Sequence, residues 1–328
     1  MNDLDLSTDI TTLQSHMLEQ EHGQAELGDA LCWIVSALSI STKIIASKIR
    51  RARLLDVLGN AGQENVQGEK QQKLDVIAND TLLRTLGRRK GVAVVASEEN
   101  EQPVIIRDGQ SGDAQYCVLF DPLDGSSNLD VCGGVGTIFS ILRHTTGNVE
   151  NSVLQSGTRQ VAAGYVLYGS STVLMLTLGR GVDMFVLDPD VGSYIRVARN
   201  LTIPSEKRHY SLNEGNRLSL PEGYQRYLNW AQQEGYSARY VGTMVADVHR
   251  ILMKGGVFLY PPTESAPAGK LRLLYEANPM ALLIEQAGGR AMAAPNQRIL
   301  DIEPAAIHER TPVVLGSTAE VDRVLDML

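Results

Sequence analysis

Asp121 and Asp124 stand three positions apart at the end of an apolar run, Val118-Leu119-Phe120, and Gly125-Ser126-Ser127-Asn128 follows directly. Pro122 and Gly125 predict a tight turn, so both carboxylates are expected to emerge together at the C-terminal edge of a strand. From Asp124 to Ser127, consecutive backbone N–H groups and two hydroxyls would form a concave cradle for phosphate oxygens. Carboxylates beside such a cradle repel an anion unless cations stand between them. A hard divalent ion with oxygen ligands, Mg²⁺ first, is the simplest solution. Taken alone, a D-P-x-D-G run also fits an ordinary turn with solvated carboxylates.

Two further acidic sites favour the chemical reading. Val94-Val95-Ala96-Ser97 runs into Glu98-Glu99, and Leu273-Leu274-Tyr275 runs into Glu276. Three transitions from apolar strand to acid match the usual location of α/β active sites. Lys270 and Arg272 shortly before Glu276, and Arg239-Tyr240 before another expected helix, are candidates for a second phosphate. An exposed Lys or Arg is more often simply solvated.

The 328 residues that must position these groups exceed one ordinary core, which predicts one large domain or two closely packed ones. With 43% apolar and 21% charged residues the balance is globular, and the net charge of -8 argues against nucleic acid or an anionic membrane as main partner. No apolar stretch reads as a membrane span, and Met1 to Ile10 is acidic without a leader pattern. Cys32, Cys117 and Cys132 lie far apart and are expected to be reduced, buried thiols. Together these imply a cytoplasmic protein.

Apolar residues at three- and four-residue steps predict helices over 27–58 and 73–86. Residues 92–96 and 116–120 read as short strands, 160–178 and 184–187 as paired strands. Helices are expected over 224–234 and 243–253, a strand over 257–260, and a helix capped by Asn278 with Pro279 at its first position. The interleaving gives an α/β layered architecture with a boundary near residue 200.

Several of these segments, with similar spacing from about Leu38 to Gly289, resemble the class I fructose-1,6-bisphosphatase family. They are Ser97-Glu98-Glu99, Phe120 to Asn128, Val135-Gly136-Thr137-Ile138-Phe139, Ala163-Gly164-Tyr165 through Ser170, Asn213-Glu214-Gly215, Arg239 to Arg250 and Gly269 to Met280. The resemblance implies a layered α-β-α-β-α sugar-phosphatase fold of two halves, 1–200 carrying the acidic motifs and 201–328 binding the sugar bisphosphate. It implies a homotetramer that hydrolyses the 1-phosphate of fructose 1,6-bisphosphate with two or more Mg²⁺ ions per subunit, Mn²⁺ serving in their place. Glu98, Asp121, the Leu123 carbonyl, Asp124 and Glu276 would hold metal. Asp75, in a Lys73-Leu74-Asp75-Val76 segment matching the family's mobile catalytic loop, and Glu99 would order and deprotonate the attacking water. Asp124, Gly125, Ser126 and Ser127 would hold the reacting end. Asn213, Tyr240, Tyr260, Lys270 and Arg272 would bind the sugar and 6-phosphate, with Arg239 reaching in from a neighbouring subunit.

Departures from the family pattern bear on regulation and specificity. Asp29 in the stretch Gly28-Asp29-Ala30-Leu31-Cys32 would repel the phosphate of AMP, and Gln115 stands where a lysine is typical, although Tyr116 and Arg143 fit. Gly147 to Gly157 holds no cysteine, which argues against thioredoxin control. Asn216 replaces a tyrosine usual near the 6-phosphate and leaves room for a longer sugar such as sedoheptulose 1,7-bisphosphate. An inositol monophosphatase would leave Arg239-Tyr240 and Lys270 without a role, and a non-catalytic relative would have lost the acids. A haloacid-dehalogenase mechanism needs D-x-D-x-T, which Asp121-Pro122-Leu123-Asp124 does not supply.

Overall fold

A computed structural model describes residues 10–23, 28–64, 70–107, 115–145 and 149–328. An eight-stranded sheet is built from β3 (Val92–Ser97), β4 (Val104–Ile105), β5 (Tyr116–Asp124), β6 (Val135–Arg143), β7 (Gln160–Tyr168), β8 (Thr172–Thr177), β9 (Asp183–Asp188) and β10 (Ser193–Ala198), in the order β10-β9-β8-β7-β6-β5-β3-β4. A short pair, β1 (Asn60–Glu64) and β2 (Lys70–Gln72), precedes it. A second, six-stranded sheet uses β11 (His209–Ser211), β12 (Ser237–Ala238), β13 (Val257–Tyr260), β15 (Arg290–Ala294), β16 (Gln297–Arg298) and β18 (Val313–Gly316). The two-residue strands β14 (Leu271–Arg272) and β17 (Arg310–Thr311) pair beside it. The helices are α1 (Leu13–Gly23), α2 (Gly28–Arg50), α3 (Lys73–Leu86), α4 (Val149–Val153), α5 (Glu222–Gln233), α6 (Met244–Lys254), α7 (Asn278–Gln286) and α8 (Thr318–Leu325).

Hydrophobic spacing explains how these elements stack. On α3, Leu74, Ala78, Leu82 and Leu86 recur every four residues and pack with Leu31, Ile34 and Leu38 of α2 against Phe120 and Phe139 of the large sheet. On the sheet's other face, Ile138 and Tyr165 meet Val245 and Val248 of α6 and Met280 and Leu283 of α7, which also cover Phe258, Val313 and Leu315 of the small sheet. Tyr224 and Tyr227 of α5, with Val321 and Val324 of α8, close that sheet's far side. The result is the α-β-α-β-α layering the resemblance implied, with one apolar core shared by both sheets.

Several element boundaries differ from the sequence expectation. Leu27 lies outside the described residues, and α2 ends at Arg50, not Leu58; turns follow to residue 56. Contrary to the expectation that no segment could span a bilayer, Asp29–Arg50 is long and apolar enough, with mean hydropathy 1.6. Its inward face is core, so the helix serves the fold. Lys73-Leu74-Asp75-Val76 forms the first turn of α3. Of the cysteines only Cys117 is buried; Cys132 is exposed and Cys32 half-buried, and none of the three is in a disulfide. The chain passes from the large sheet to the small one between β10 and β11, that is, over residues 199–208.

One close approach fixes the site. Gly136 of β6 lies under α6, where a Cβ would meet Val245 Cγ1 at 2.6 Å and the Val166 carbonyl oxygen at 2.7 Å. Gly136→Ala should therefore force α6 off the sheet and cost about 1–3 kcal/mol of stability. Urea unfolding measures this, and an unchanged midpoint contradicts the packing described.

Candidate active site

Parallel pairing of β3 and β5 brings two of the acids together. Ser97 lies opposite Phe120, and Glu98 N–H donates to the Phe120 carbonyl (3.1 Å), so Glu98 sits beside Asp121 at the carboxyl ends of both strands. The expected tight turn at Pro122 is absent. β5 instead continues to Asp124 through a bulge. Asp121 pairs with Ile138 and Asp124 with Gly136, three steps on β5 against two on β6. In a regular strand, residues three apart point to opposite faces. The extra residue reverses that alternation, turning both carboxylates to one face and Leu123 into the core beside Phe120. Asp121 Oδ1 accepts from Leu123 N–H at 2.9 Å.

Asp124 is held from the other layer. Its Oδ2 accepts from the Val245 N–H at 2.7 Å, at the N-terminus of α6, where the helix favours negative charge. Glu276 arrives differently from expectation. Leu273-Leu274-Tyr275 is not a strand; Leu273–Ala277 form a single π-helical turn running into α7, with Asn278 as its first helical residue rather than its cap. The turn places Glu276 so that one carboxylate oxygen each from Asp121, Asp124 and Glu276 lie within 4.8 Å of one another.

Arg272, expected at the sugar, lies against the acids. Its Nη2 is 2.6 Å from Glu98 Oε1, its Nη1 3.7 Å from Glu276 Oε2, and its own N–H donates to Glu276 Oε2 at 2.6 Å. Glu98, Asp121, Asp124 and Glu276 are 5%, 4%, 9% and 2% exposed. Burial, and then the neighbouring carboxylates, push Glu98 up to about 8 against the pull of Arg272. Burial and Glu276 push Asp124 up to about 7, while burial, Glu98 and Asp124 hold Asp121 well above the ordinary range. An all-oxygen, crowded and buried donor set of this kind fits a hard divalent cation.

Against this cluster stands the cradle. Gly125 has φ of +75°, and a Cβ there would meet Thr243 Cγ2 at 2.4 Å, so the turn into the Ser126–Val131 3₁₀ helix needs glycine. Ser126 Oγ donates to Asp75 Oδ2 at 3.1 Å, and the same oxygen accepts from Gln72 N–H at 2.8 Å. Asp75 is thereby fixed against the cradle from the start of α3. Ser127 is exposed. Glu99 is half-buried and accepts from Gln71 Nε2 at 2.5 Å. Leu123 is buried, 4% exposed.

The sugar candidates gather elsewhere on the small sheet. Asn213, Asn216, Tyr260 and Lys270 line a cavity of about 100 Å³. Since a water's share of liquid is about 30 Å³, this is room for a phosphate-sized group. Tyr240 neighbours Asn213 and Tyr260, and burial, then Tyr260, push its hydroxyl up to about 12. Arg239 is exposed and donates through Nη1 to the Ala238 carbonyl at 2.8 Å; it does not line that cavity.

Sequence reasoning assigned no role to Asp247 of α6, 1% exposed, whose two carboxylate oxygens accept from Val241 N–H (2.9 Å) and Gly242 N–H (3.0 Å). It folds back the segment bearing Tyr240. Thr243 was likewise given no role: its Oγ1 donates to the Gly134 carbonyl at 2.7 Å and accepts from Asn128 Nδ2 at 2.8 Å, tying the cradle to α6. The signal in both cases was a short polar side chain around a helix start.

Acids gathered at strand ends within five α/β layers are the arrangement of a phosphoric monoester hydrolase, and comparison with known proteins narrows the class. The model of the fructose-1-6-bisphosphatase N-terminal domain matches residues 11–199, and that of the C-terminal domain residues 203–328. The fructose-1,6-bisphosphatase class 1 of Chlorobium luteolum is 46% identical over 322 residues, 95% of this chain and 96% of that protein. The one from Chlorobium chlorochromatii is 45% identical over 324 residues, 96% of each. Among solved structures, the holo form of Leishmania major fructose-1,6-bisphosphatase superposes with a TM-score of 0.91 at 40% identity, over 97% of this chain and 98% of that one. The chain belongs to the fructose-1,6-bisphosphatase family.

The raised carboxyl pKa values predict a linkage between protons and cations. Because Glu98, Asp121 and Asp124 titrate higher in the folded state than in an unfolded chain (about 4), the metal-free folded protein binds more protons than the unfolded chain as the pH rises past that value. Their contribution to stability is present at acid pH and is lost as pH rises through about 7 and 8. A divalent cation takes the protons' place, so saturating MgCl₂ should raise Tm more at about pH 8 than at about pH 5.5. Scanning calorimetry decides it; an equal or reversed gain contradicts the cluster's assignment.

Proposed function

We propose that the protein hydrolyses the 1-phosphate of D-fructose 1,6-bisphosphate, releasing fructose 6-phosphate and phosphate, with Mg²⁺ as cofactor. The observation that carries this reading is the convergence of Asp121, Asp124 and Glu276 within 4.8 Å, directly before the Gly125–Ser127 cradle. The curated relatives' names support it.

Glu98, Asp121, the Leu123 carbonyl, Asp124 and Glu276 would hold two or more ions, with Mn²⁺ able to replace Mg²⁺. Bound there, such ions supply positive charge against the phosphoryl oxygens and acidify water. Asp124, Gly125, Ser126 and Ser127 orient the 1-phosphate. Asp75, held by Ser126 and Gln72, and Glu99, held by Gln71, order the attacking water and take its proton as its oxygen bonds to phosphorus. The bond from phosphorus to the sugar C1 oxygen breaks, and that oxygen takes up a proton from solvent to become the hydroxyl of fructose 6-phosphate. Asn213, Tyr240, Tyr260 and Lys270 receive the sugar and the 6-phosphate. Arg272 serves the acids instead, keeping Glu98 and Glu276 in place.

In this reading residues 1–200 supply Asp75, Glu98, Glu99, Asp121 and Asp124, and 201–328 supply Glu276 and the sugar site, in a cytoplasmic homotetramer with Arg239 offered to a neighbouring subunit. The apolar face of α2 supports self-association: Trp33, Ile40 and Ile44 are 60%, 41% and 40% exposed. Light scattering giving a monomer mass would end the tetramer proposal.

A second reading, sedoheptulose 1,7-bisphosphate as an equal or better substrate, is favoured by Asn216 in the cavity wall. Phosphate release from both bisphosphates and from inositol 1-phosphate, with Mg²⁺ and with EDTA, tests both. Mg²⁺-dependent turnover favouring the fructose compound is expected, and Asp121→Ala should fold yet lose at least about 10³-fold in kcat. No turnover on any substrate, or a fully active Asp121→Ala, would overturn the assignment.

A further inference from the structure

Thr137 of β6 lies opposite the bulge that turns Asp121 and Asp124 to one face. Its neighbours in the ladder are Ile138, paired with Asp121, and Gly136, paired with Asp124. Alternation along β6 therefore points Thr137 to the opposite face of the sheet, toward the α2–α3 layer, where it is fully buried. From there it reaches the bulge by its backbone. Thr137 Oγ1 donates to the Pro122 carbonyl at 2.9 Å and lies 2.8 Å from the Tyr168 hydroxyl.

The hydrogen-bond arithmetic at this point allows little choice. Pro122 has no N–H, and the bulge takes its carbonyl out of regular register. Of the two backbone groups at the bulge's centre, Leu123 N–H goes to Asp121 Oδ1 and the Pro122 carbonyl to Thr137. Thr137 has one hydroxyl proton and spends it on Pro122, so the Tyr168 hydroxyl must donate to Thr137. Tyr168 sits on β7, where it pairs with Val135, and is 5% exposed. The relay Tyr168 O–H to Thr137 O–H to the Pro122 carbonyl thus pins the one peptide whose orientation decides whether both carboxylates face the same side.

We infer that Thr137 is a positioning residue for the divalent-cation site, acting through the Pro122 carbonyl, with Tyr168 orienting its hydroxyl. The inference rests on reading Asp121 and Asp124 as cation ligands. Thr137 touches neither substrate nor cation. Its effect is on the angle between two ligands, and it should appear in cation affinity rather than in sugar binding.

The test is Mn²⁺ titration of the substrate-free protein by calorimetry, with Tm in EDTA measured alongside. Thr137→Val should bind Mn²⁺ about 10- to 100-fold more weakly, as positioning partners of metal ligands commonly do when removed. Thr137→Ser should restore affinity to within about 3-fold of wild type, and Tyr168→Phe should fall between Ser and Val. In turnover, Thr137→Val should raise the Mg²⁺ concentration needed for half-activation and leave the KM for the sugar bisphosphate unchanged. A purely structural role would lower Tm in EDTA without moving Mn²⁺ affinity, and that result overturns the inference. Should Thr137→Val fail to fold, Tyr168→Phe decides: wild-type Mn²⁺ affinity in that variant rejects the relay. Absence of Mn²⁺ binding in the wild type rejects the ligand reading itself, and the inference with it.

Discussion

Carboxylates crowded into one buried cluster repel one another, and the site is organised around that repulsion. Two unit charges about 5 Å apart in a partly screened interior oppose each other by about 3 kcal/mol. Here Glu98, Asp121, Asp124 and Glu276 share such a volume, each less than a tenth exposed. No side chain gains from this arrangement by itself. It survives because three of the four carboxylates are held by backbone, Asp121 by the Leu123 N–H, Asp124 by the N-terminus of α6 and Glu276 by the Arg272 N–H, while Glu98 meets the Arg272 guanidinium. Arg272 offsets part of the charge. The remainder is a negative field that a divalent cation would neutralise.

Helix α6 carries this constraint from one half of the molecule to the other. Its first turn holds Asp124, a strand-end acid of the large sheet, and its Asp247 holds the segment bearing Tyr240, next to the small-sheet cavity. Gly136 lets the helix approach closely enough for the first contact. The acid cluster and the small-sheet cavity are thus referenced to one rigid element rather than to two separate loops. That is a physical reason for the two sheets to share a single core.

Much of this was legible in the residues. Leu74, Leu82 and Leu86 mark α3 to within its ends, Val257 to Tyr260 marks β13, and apolar runs ending in acids single out Glu98, Asp121 and Glu276. What escaped was set by pairing across the chain. Pro122 and Gly125 read as a turn because local turn chemistry is what short windows report; only the register against β6 shows a bulge. Leu273-Leu274-Tyr275 has strand composition, yet it winds into a π-helical turn that packs on β5 and β6 and runs directly into α7. Arg272 stands near acids in the sequence, which gives no sign that its guanidinium lies against Glu98 and Glu276. Asp247 and Thr137 were unremarkable polar residues until their backbone partners, distant or folded back, became visible.

The account turns on a cation sitting where Asp121, Asp124 and Glu276 converge, and diffraction from a Mn²⁺-soaked crystal at the manganese absorption edge tests that most directly. An anomalous peak within bonding distance of all three carboxylates is the predicted result. Full occupancy of the soak with no peak among them, or a peak confined to other surface acids, would contradict the account.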